Sequence, residues 1–557
     1  MDDYEKSKSS TKRHSKLKKL LKIVYNYDQF KPKQYEIINR IINQEDVCAI
    51  LPTGYGKSLT YQMPGIYLDK PAIIISPLIS LMNDQQMILA DMDITSCCYN
   101  SSIMHKDNLK REILNGDYQF IYITPESIVR MEEFLKKMRD GIGISLIAID
   151  EAHCISSYGF DFRNDYRKLS FLKTVLPDVP ILAVTATATQ QVANDICNVL
   201  GLNNEEIIQT SFDRPNLYLE VRKKLKKKNG VSTTEEIIHS IIQKYPGESI
   251  IIYCISKKQV EKMKQVLDEV YKIKCDMYHA GMTDVDKKRT HENFLKNNIQ
   301  VVVATIAFGM GINKSDVRVV IHYGAPKSVE GYYQEIGRAG RDGKKSFCYM
   351  FFSDYDFDLQ ETFINNTENE NYRRTQYKLL EKMKKYAYTK ECRRKVLLEY
   401  FDEDSRDNCD FCDNCCGTKY TINKQLTTMT TQNVHKEAKM LIDLIEEMDS
   451  KMHKNFGLAM YINILRKSAN KTITADIKKS KYYGAGSNRS IDWWKELADN
   501  LIQKGFIMKI QVRGKFGMHF LKVTHQGSIW SNMSELDDFL DGFEMVKLDP
   551  IEMVATI

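Results

Sequence analysis

At 557 residues the chain has room for three or four domains of about 150 residues each. Its 43% hydrophobic and 27% charged residues allow each domain a real core, which excludes a disordered chain. No apolar run approaches the ~18 residues of a membrane span, and MDDYEKSKSS carries no apolar secretion segment, so an intracellular, reducing setting without membrane is expected. Thirteen cysteines are too few for a disulfide scaffold in a chain this long. The net charge of +7 suits a polyanionic partner without requiring one.

Residues 1–16 are rich in Lys and Ser and lack an apolar period; with the following stretch they predict a basic disordered tail over 1–26. From Tyr27 onward short Ile/Val/Leu runs alternate with amphipathic stretches. The runs at 47–51, 72–76, 119–123, 146–149 and 181–184 have the character of buried parallel strands. A second set lies at 249–253, 300–304, 318–323 and 346–352. Two α/β domains with parallel sheets follow, over 27–210 and 211–354. Residues 355–418 read as helical and end in a cysteine cluster. A Thr- and Lys-rich linker at 417–432 leads into helical and hairpin-like patterns that define a further domain over 419–530. Residues 534–557 hold seven Asp/Glu and one Lys and predict an acidic tail over 531–557.

Three motifs carry chemistry. Pro52-Thr53-Gly54-Tyr55-Gly56-Lys57-Ser58 follows the first run and precedes a helical stretch. Glycines let backbone N–H groups turn onto phosphate oxygens, Lys57 would reach the β/γ phosphates of ATP, and Ser58 would ligate Mg²⁺. The strict pattern has glycine where Leu51 stands. The apolar run 146–149 ends in Asp150 and Glu151, with His153 close behind. Asp150 at a strand's edge can hold Mg²⁺, and Glu151 can take a proton from the attacking water. In the second domain Gln334 precedes Arg338 and Arg341 among glycines; cations there would meet the charge that develops on the γ-phosphate.

The order and wording of these motifs resemble the RecQ family of superfamily 2, DEAH-box type helicases. The resemblance rests on Tyr27-Asp-Gln-Phe-Lys-Pro-Lys-Gln34, the phosphate loop, Ser76-Pro-Leu-Ile-Ser-Leu-Met-Asn-Asp-Gln85, Thr124-Pro-Glu126 and Asp150-Glu-Ala-His-Cys-Ile-Ser156. It continues through Ala183-Val-Thr-Ala-Thr-Ala-Thr189, Tyr278-His-Ala-Gly-Met282, Ala307-Phe-Gly-Met-Gly-Ile312 and the Arg338/Arg341 motif, and spans about 27–530. It implies two tandem RecA-like domains, a helical zinc-binding subdomain and a winged helix. It also implies that Gln34 reads adenine and Tyr27 stacks on it, that His153 couples hydrolysis to the second domain, and that Gln334 and Arg341 sense the γ-phosphate with support from Arg338. Lys31 stands where the family usually has Arg, which predicts a weaker base contact. The loop with Tyr158, Phe160, Phe162 and Arg163 resembles the family's single-stranded DNA sensor. Tyr158 replaces a Trp there, which predicts weaker stimulation by DNA. Core packing under the loop is the other reading of Tyr158 and Phe160.

Cys392, Cys409, Cys412 and Cys415 have sixteen, two and two residues between them, a spacing suited to tetrahedral Zn²⁺ and similar to the RecQ zinc motif. Cys416 reads as a bystander. In the C-terminal domain Trp494, Leu497 and Leu501 share one helical face and are expected in a core. Lys478, Lys479, Lys481, Arg489, Lys509, Arg513 and Lys515 offer charge to duplex phosphates. Phe516 lies between two strand-like stretches and resembles the family's strand-separating aromatic; a local staple is the alternative.

The resemblance therefore implies an ATP-dependent 3′→5′ DNA helicase. Its cofactors would be ATP, Mg²⁺ and Zn²⁺, and its partners single-stranded and forked or tailed duplex DNA, in repair, recombination or replication. It would be nuclear if eukaryotic. An RNA helicase or RNA-stimulated ATPase, and a non-catalytic binding or annealing factor, are the alternatives.

Overall fold

The computed structural model describes residues 2–202, 206–225, 233–309, 314–416, 429–468, 472–511, 519–532 and 544–548. Contacts divide the chain into two units, 1–422 and 423–557.

Unit 1 holds two parallel sheets. The first contains β1 (Val47–Ile50), β2 (Ala72–Ile75), β3 (Ser96–Tyr99), β4 (Phe120–Ile123), β5 (Leu146–Asp150), β6 (Ile181–Thr185) and β7 (Ile207–Gln209), in the order β3-β4-β2-β5-β6-β1-β7. The second contains β8 (Leu217–Lys223), β9 (Ser249–Cys254), β10 (Cys275–Tyr278), β11 (Val301–Ala304), β12 (Val317–Tyr323) and β13 (Ser346–Phe352), in the order β10-β11-β9-β12-β13-β8. Helices cover both faces, so central strands such as Val47–Ile50 and Ala72–Ile75 are buried throughout and read as unbroken apolar runs. Alternate residues of β2 serve opposite cores, Ile73 and Ile75 one and Ala72 and Ile74 the other. Register fixes the site: Ile50↔Thr185 and Asp150↔Val184 align the C-terminal ends of β1, β5 and β6 beneath the phosphate loop.

Every run assigned as a strand forms one. In unit 1 the missed strands are β3, β7, β8 and β10. β3 reads Ser-Cys-Cys-Tyr and β10 Cys-Asp-Met-Tyr, too polar to stand out, and both sit at sheet edges. β7 ends the first sheet and β8 begins the second, so the junction falls between 209 and 217, near the expected boundary.

The 1–26 stretch is not a disordered tail. A helix runs over Asp2–Tyr25. Leu17 and Leu21, four apart on one face, are fully buried with Ile38, Ile42, Leu59 and Met63, and Arg13 donates to Asn39 and Asn43. Burying two leucines is worth about 3–6 kcal/mol, which ties this basic helix to the first domain.

After β13 come the helices Asp354–Asn365, Glu370–Tyr388 and Arg393–Tyr400, as the helical reading of 355–400 expected. The cysteine turn that follows docks on the edge of the second sheet, where Cys412 bridges Leu219 of β8.

In unit 2 the helices His435–Met452, Leu458–Leu465 and Ile491–Gln503 pack with the antiparallel pair β15 (Ile507–Gln511) and β16 (His519–Val523). Trp494, Leu497 and Leu501 are fully buried, as their spacing required. A Cβ on Gly486 would stand 2.3 Å from the Trp494 ring, whose Nε1 donates to the Gly486 carbonyl at 3.0 Å; only glycine lets the backbone come so near. The acidic stretch assigned as a tail is not all tail. The helix His525–Asn532 crosses the boundary drawn at 530, and β17 (Glu544–Leu548) pairs antiparallel with β14 (Met429–Asn433), inside the segment read as a linker. β14 reads Met-Thr-Thr-Gln-Asn, too polar to declare itself, and each strand gains its pairing only from a partner more than a hundred residues away. Phe516, Arg513 and Lys515 lie outside the described residues.

Candidate active site and zinc centre

A cavity of about 530 Å³ opens between the C-terminal ends of the first sheet and the second domain. The phosphate loop, Tyr27, Lys31, Gln34, Asp150, Glu151, Gln334, Arg338 and Arg341 all line it. These residues are scattered over more than 300 positions, and the sequence reading assigned every one of them to nucleotide.

The loop's shape depends on Gly54 and Gly56, both at positive φ (80° and 88°). A Cβ at Gly56 would lie 2.7 Å from Gln34 Nε2, and one at Gly54 would lie 2.9 Å from Arg341 Cγ. The two glycines therefore admit Gln34 and the second domain's Arg341 to the loop. Gln34 is buried. Its Nε2 donates to the Tyr55 carbonyl at 2.9 Å, and its Oε1 accepts from the Lys31 N–H at 2.8 Å. Lys31 Nζ donates to the Gly54 carbonyl at 2.9 Å and lies 5.4 Å from the Tyr55 ring centre. The lysine thus braces the loop, a task that needs a point charge and no planar group. Tyr27 is exposed at the cavity mouth and stacks beside Tyr25, a cavity residue that the sequence reading missed.

Lys57 follows Gly56 at the first turn of the helix Lys57–Leu68. Burial lowers its pKa, while Glu151 and Asp150 pull it back up. Asp150 ends β5; burial and the adjacent Glu151 hold its pKa above the usual carboxylate range. Glu151 takes a left-handed backbone, φ 50°, which turns the chain sharply after the strand. Burial would raise its pKa, but His153, with Lys57 and Arg338, holds it low. His153 Nδ1 lies 3.3 Å from Glu151 Oε2 and 2.9 Å from Thr185 Oγ1. Thr185 Oγ1 donates to the Thr187 carbonyl, and Gln334 Nε2 donates to Thr187 Oγ1 at 3.0 Å. A polar chain therefore runs from the carboxylates to the second domain.

Arg338 is buried and Arg341 partly so, and desolvation, with Arg338 and Arg214 nearby, holds the Arg341 pKa down at about 9. Arg214, at the junction of the two sheets, was missed. Its guanidinium donates to the Thr53 carbonyl of the phosphate loop and to the carbonyls of Gly337, Ala339 and Gly340 around the arginine motif. Nothing in a lone Arg-Pro-Asn signals this; only the two-domain geometry brings four carbonyls to one fork. Arg394 holds the same junction, donating to the Asp213 carboxylate and to the Arg214 and Leu217 carbonyls, each at 2.7 Å.

Of Tyr158, Phe160, Phe162 and Arg163 only Tyr158 is freely exposed. Phe160 corrects the sequence reading: it is 7% exposed, with its ring stacked on His153 at 4.7 Å. It belongs to the packing beneath the loop because His153 offers a flat partner inside. Phe162 is half-buried against Tyr372, whose hydroxyl donates to the Phe160 carbonyl. Arg163 donates to the Pro77 carbonyl and pairs with Asp161. In unit 2, Arg489 is held by Glu437 at 2.6 Å and lies on Trp493, so it is not the free cation expected; Lys478, Lys479 and Lys481 are exposed.

The sulfurs of Cys392, Cys409, Cys412 and Cys415 all lie within 4.8 Å of one another. Four thiolates at that separation fit one tetrahedral Zn²⁺ with no position left for water, which makes the metal structural. Cys416 turns away and bonds the Asp410 carbonyl. Asp413 ties the turn down, accepting from Arg393 Nε at 2.7 Å and from the Val221 N–H at 2.9 Å.

Four family models match in order: DEAD/DEAH box helicase over 31–196, helicase conserved C-terminal domain over 233–343, RecQ zinc-binding over 354–416 and RQC domain over 428–546. The ATP-dependent DNA helicase RecQ of Bacillus subtilis is 36% identical over 88% of this chain and 79% of its own length. The chain belongs to the RecQ family. It is an ATP-dependent helicase, with ATP and Zn²⁺ as cofactors. A protein of Acanthamoeba polyphaga mimivirus, provisionally named an ATP-dependent RNA helicase, is 58% identical over the full length of both chains. The bifunctional 3′-5′ exonuclease/ATP-dependent helicase WRN of Mus musculus is 37% identical over 92% of this chain, which spans 36% of that larger protein. Among the described residues no helix is long and apolar enough to cross a membrane.

Proposed function

We propose that this RecQ-family helicase is a 3′→5′ DNA helicase, acting on single-stranded and forked or tailed duplex DNA in repair, recombination or replication. The observation that carries the reading is the joining of a two-domain nucleotide cavity to the RecQ zinc-binding and RQC domains, in a chain 36% identical to the DNA helicase RecQ of Bacillus subtilis.

In this reading Gln34, Tyr27 and Lys31 hold the adenine end and residues 52–58 cradle the phosphates. Ser58 and Asp150 would hold Mg²⁺, which neutralises phosphate charge when bound. Glu151, kept ionised by His153, accepts the proton of the attacking water. Arg338 and Arg341 meet the developing γ-phosphate charge, and Gln334 reports it through Thr187 to His153. Tyr158, Phe162 and Arg163 contact the strand, with Phe160 acting through His153. Closure on ATP and opening after hydrolysis move the two domains along it.

Arg214→Ala should test the second domain's contribution. The side chain joins Thr53 to the arginine motif, so its loss should lower kcat by about tenfold or more, the equivalent of ~1.4 kcal/mol, and leave the Kd for ATP within about twofold. Arg214→Lys should recover little, because one ammonium cannot span four carbonyls. Steady-state ATPase with nucleotide-binding titration measures the split.

An RNA helicase is the second reading, favoured by the name of the mimivirus relative. ATPase stimulation by matched DNA and RNA strands separates the two: DNA should stimulate more, and tenfold greater stimulation by RNA overturns the proposal. For polarity, 3′-tailed and forked duplexes should unwind with ATP and 5′-tailed duplexes should not.

A further inference from the structure

His153, Cys154 and Asp161 bring one imidazole nitrogen, one thiol and one carboxylate oxygen within 4.8 Å of one another. Cys154 Sγ lies 3.8 Å from His153 Nε2 and 3.8 Å from Asp161 Oδ2. Donors around one tetrahedral zinc stand about 3.6 Å apart, given metal–sulfur and metal–nitrogen lengths of about 2.3 and 2.0 Å. Cys154 Sγ thus already stands near ligand spacing from both partners, and a single ion within reach of all three atoms would keep one position for water. Their chemistry selects the ion: sulfur with imidazole and carboxylate suits Zn²⁺ and rejects Mg²⁺.

The outer contacts also suit a metal. His153 presents Nε2 to the cluster, while Nδ1 faces Thr185 Oγ1 and Glu151 Oε2, the arrangement that orients a metal-bound imidazole. The Phe160 ring stacked on His153 keeps the imidazole in this plane. Cys154 is fully buried, and the hydrolysis chemistry proposed above leaves its thiol without a task.

We propose that His153, Cys154 and Asp161 form a second, inhibitory Zn²⁺ site, distinct from the four-cysteine cluster. Binding would release the Cys154 thiol proton to solvent and draw Asp161 from Arg163, its present partner at 3.1 Å. His153 belongs to the hydrolysis motif and Asp161 to the loop of Tyr158, so one ion would fasten the two together. The inhibitory effect rests on the reading of that loop as a nucleic-acid sensor; the metal site itself does not.

The full-length protein is equilibrated with micromolar Zn²⁺, desalted and assayed for bound metal without nucleic acid. Wild type should hold a second zinc beyond the structural one, whereas Cys154→Ser and Cys154→Ala should hold the structural one alone. Thermal melts identify any variant that fails to fold, and Asp161→Asn gives an independent loss of the second ion. DNA-stimulated ATPase, compared for each protein with and without Zn²⁺, should fall at least about fivefold in wild type, the lower end of ordinary coupling between sites, and less than twofold in the variants. One zinc in wild type, or a second zinc retained by both Cys154 variants, overturns the site. A second zinc that leaves DNA stimulation intact overturns the inhibitory role.

Discussion

Lys57→Ala is expected to lower ATP hydrolysis about a thousandfold, the scale for removing a preorganised charge from a transition state. The ammonium is buried beside Asp150 and Glu151 and near Arg338 and Arg341, so it is one of three cations converging on the phosphate end of the cavity. Without it, two carboxylates would face an anionic nucleotide with less compensation, and affinity for ATP should fall as well. Single-stranded DNA binding should stay within about twofold, because Lys57 faces the nucleotide cavity, and phosphate contacts elsewhere supply that affinity. Steady-state ATPase and strand-binding anisotropy on one preparation give both numbers. Hydrolysis or unwinding at the wild-type rate would remove Lys57 from the proposed chemistry.

Cys412→Ser should cost the protein its structural zinc and most of the order of residues 355–416. Zinc bound by such sites supplies about 10–16 kcal/mol of apparent folding free energy, more than the subdomain's contacts can replace. Cys412 is fully buried and bridges Leu219, and its neighbour Asp413 receives Arg393 and the Val221 N–H. The damage should reach the ATP cavity, because Arg394 in the same subdomain holds Asp213, Arg214 and Leu217 at the domain junction. Hydrogen exchange should rise first in 355–416 and next in 213–223, with zinc content near zero and an earlier melt. Cys416→Ser is the matched control: its sulfur bonds the Asp410 carbonyl, and zinc content should not change. Equal zinc in both variants would contradict the four-ligand set.

The legible features share a physical origin. A strand buried on both faces must be apolar along its length, so β1, β2, β5, β6, β9 and β12 could be read directly. Phosphate chemistry demands glycine, lysine and hydroxyl in a fixed local order, and four thiolates for one metal demand a local spacing, so both sites were legible without a fold. The edge strands β3 and β10 were not, since each is four residues long and lacks the Ile/Val/Leu run of the central strands.

By itself the sequence determined two parallel α/β domains, the residues gathered at the nucleotide cavity, the cysteine cluster and the buried face carrying Trp494. Tertiary structure decided what depends on partners far along the chain. Leu17 and Leu21 order the basic N-terminal stretch because Ile38 and Met63 are there to receive them. β14 exists because β17 pairs with it. Phe160 lies beneath its own loop because His153 offers it a ring. Arg214 bridges the phosphate loop and the arginine motif because folding sets four carbonyls around one guanidinium. Local chemistry is written in local spacing; a contact between distant segments takes its free energy from a partner that no window of sequence contains.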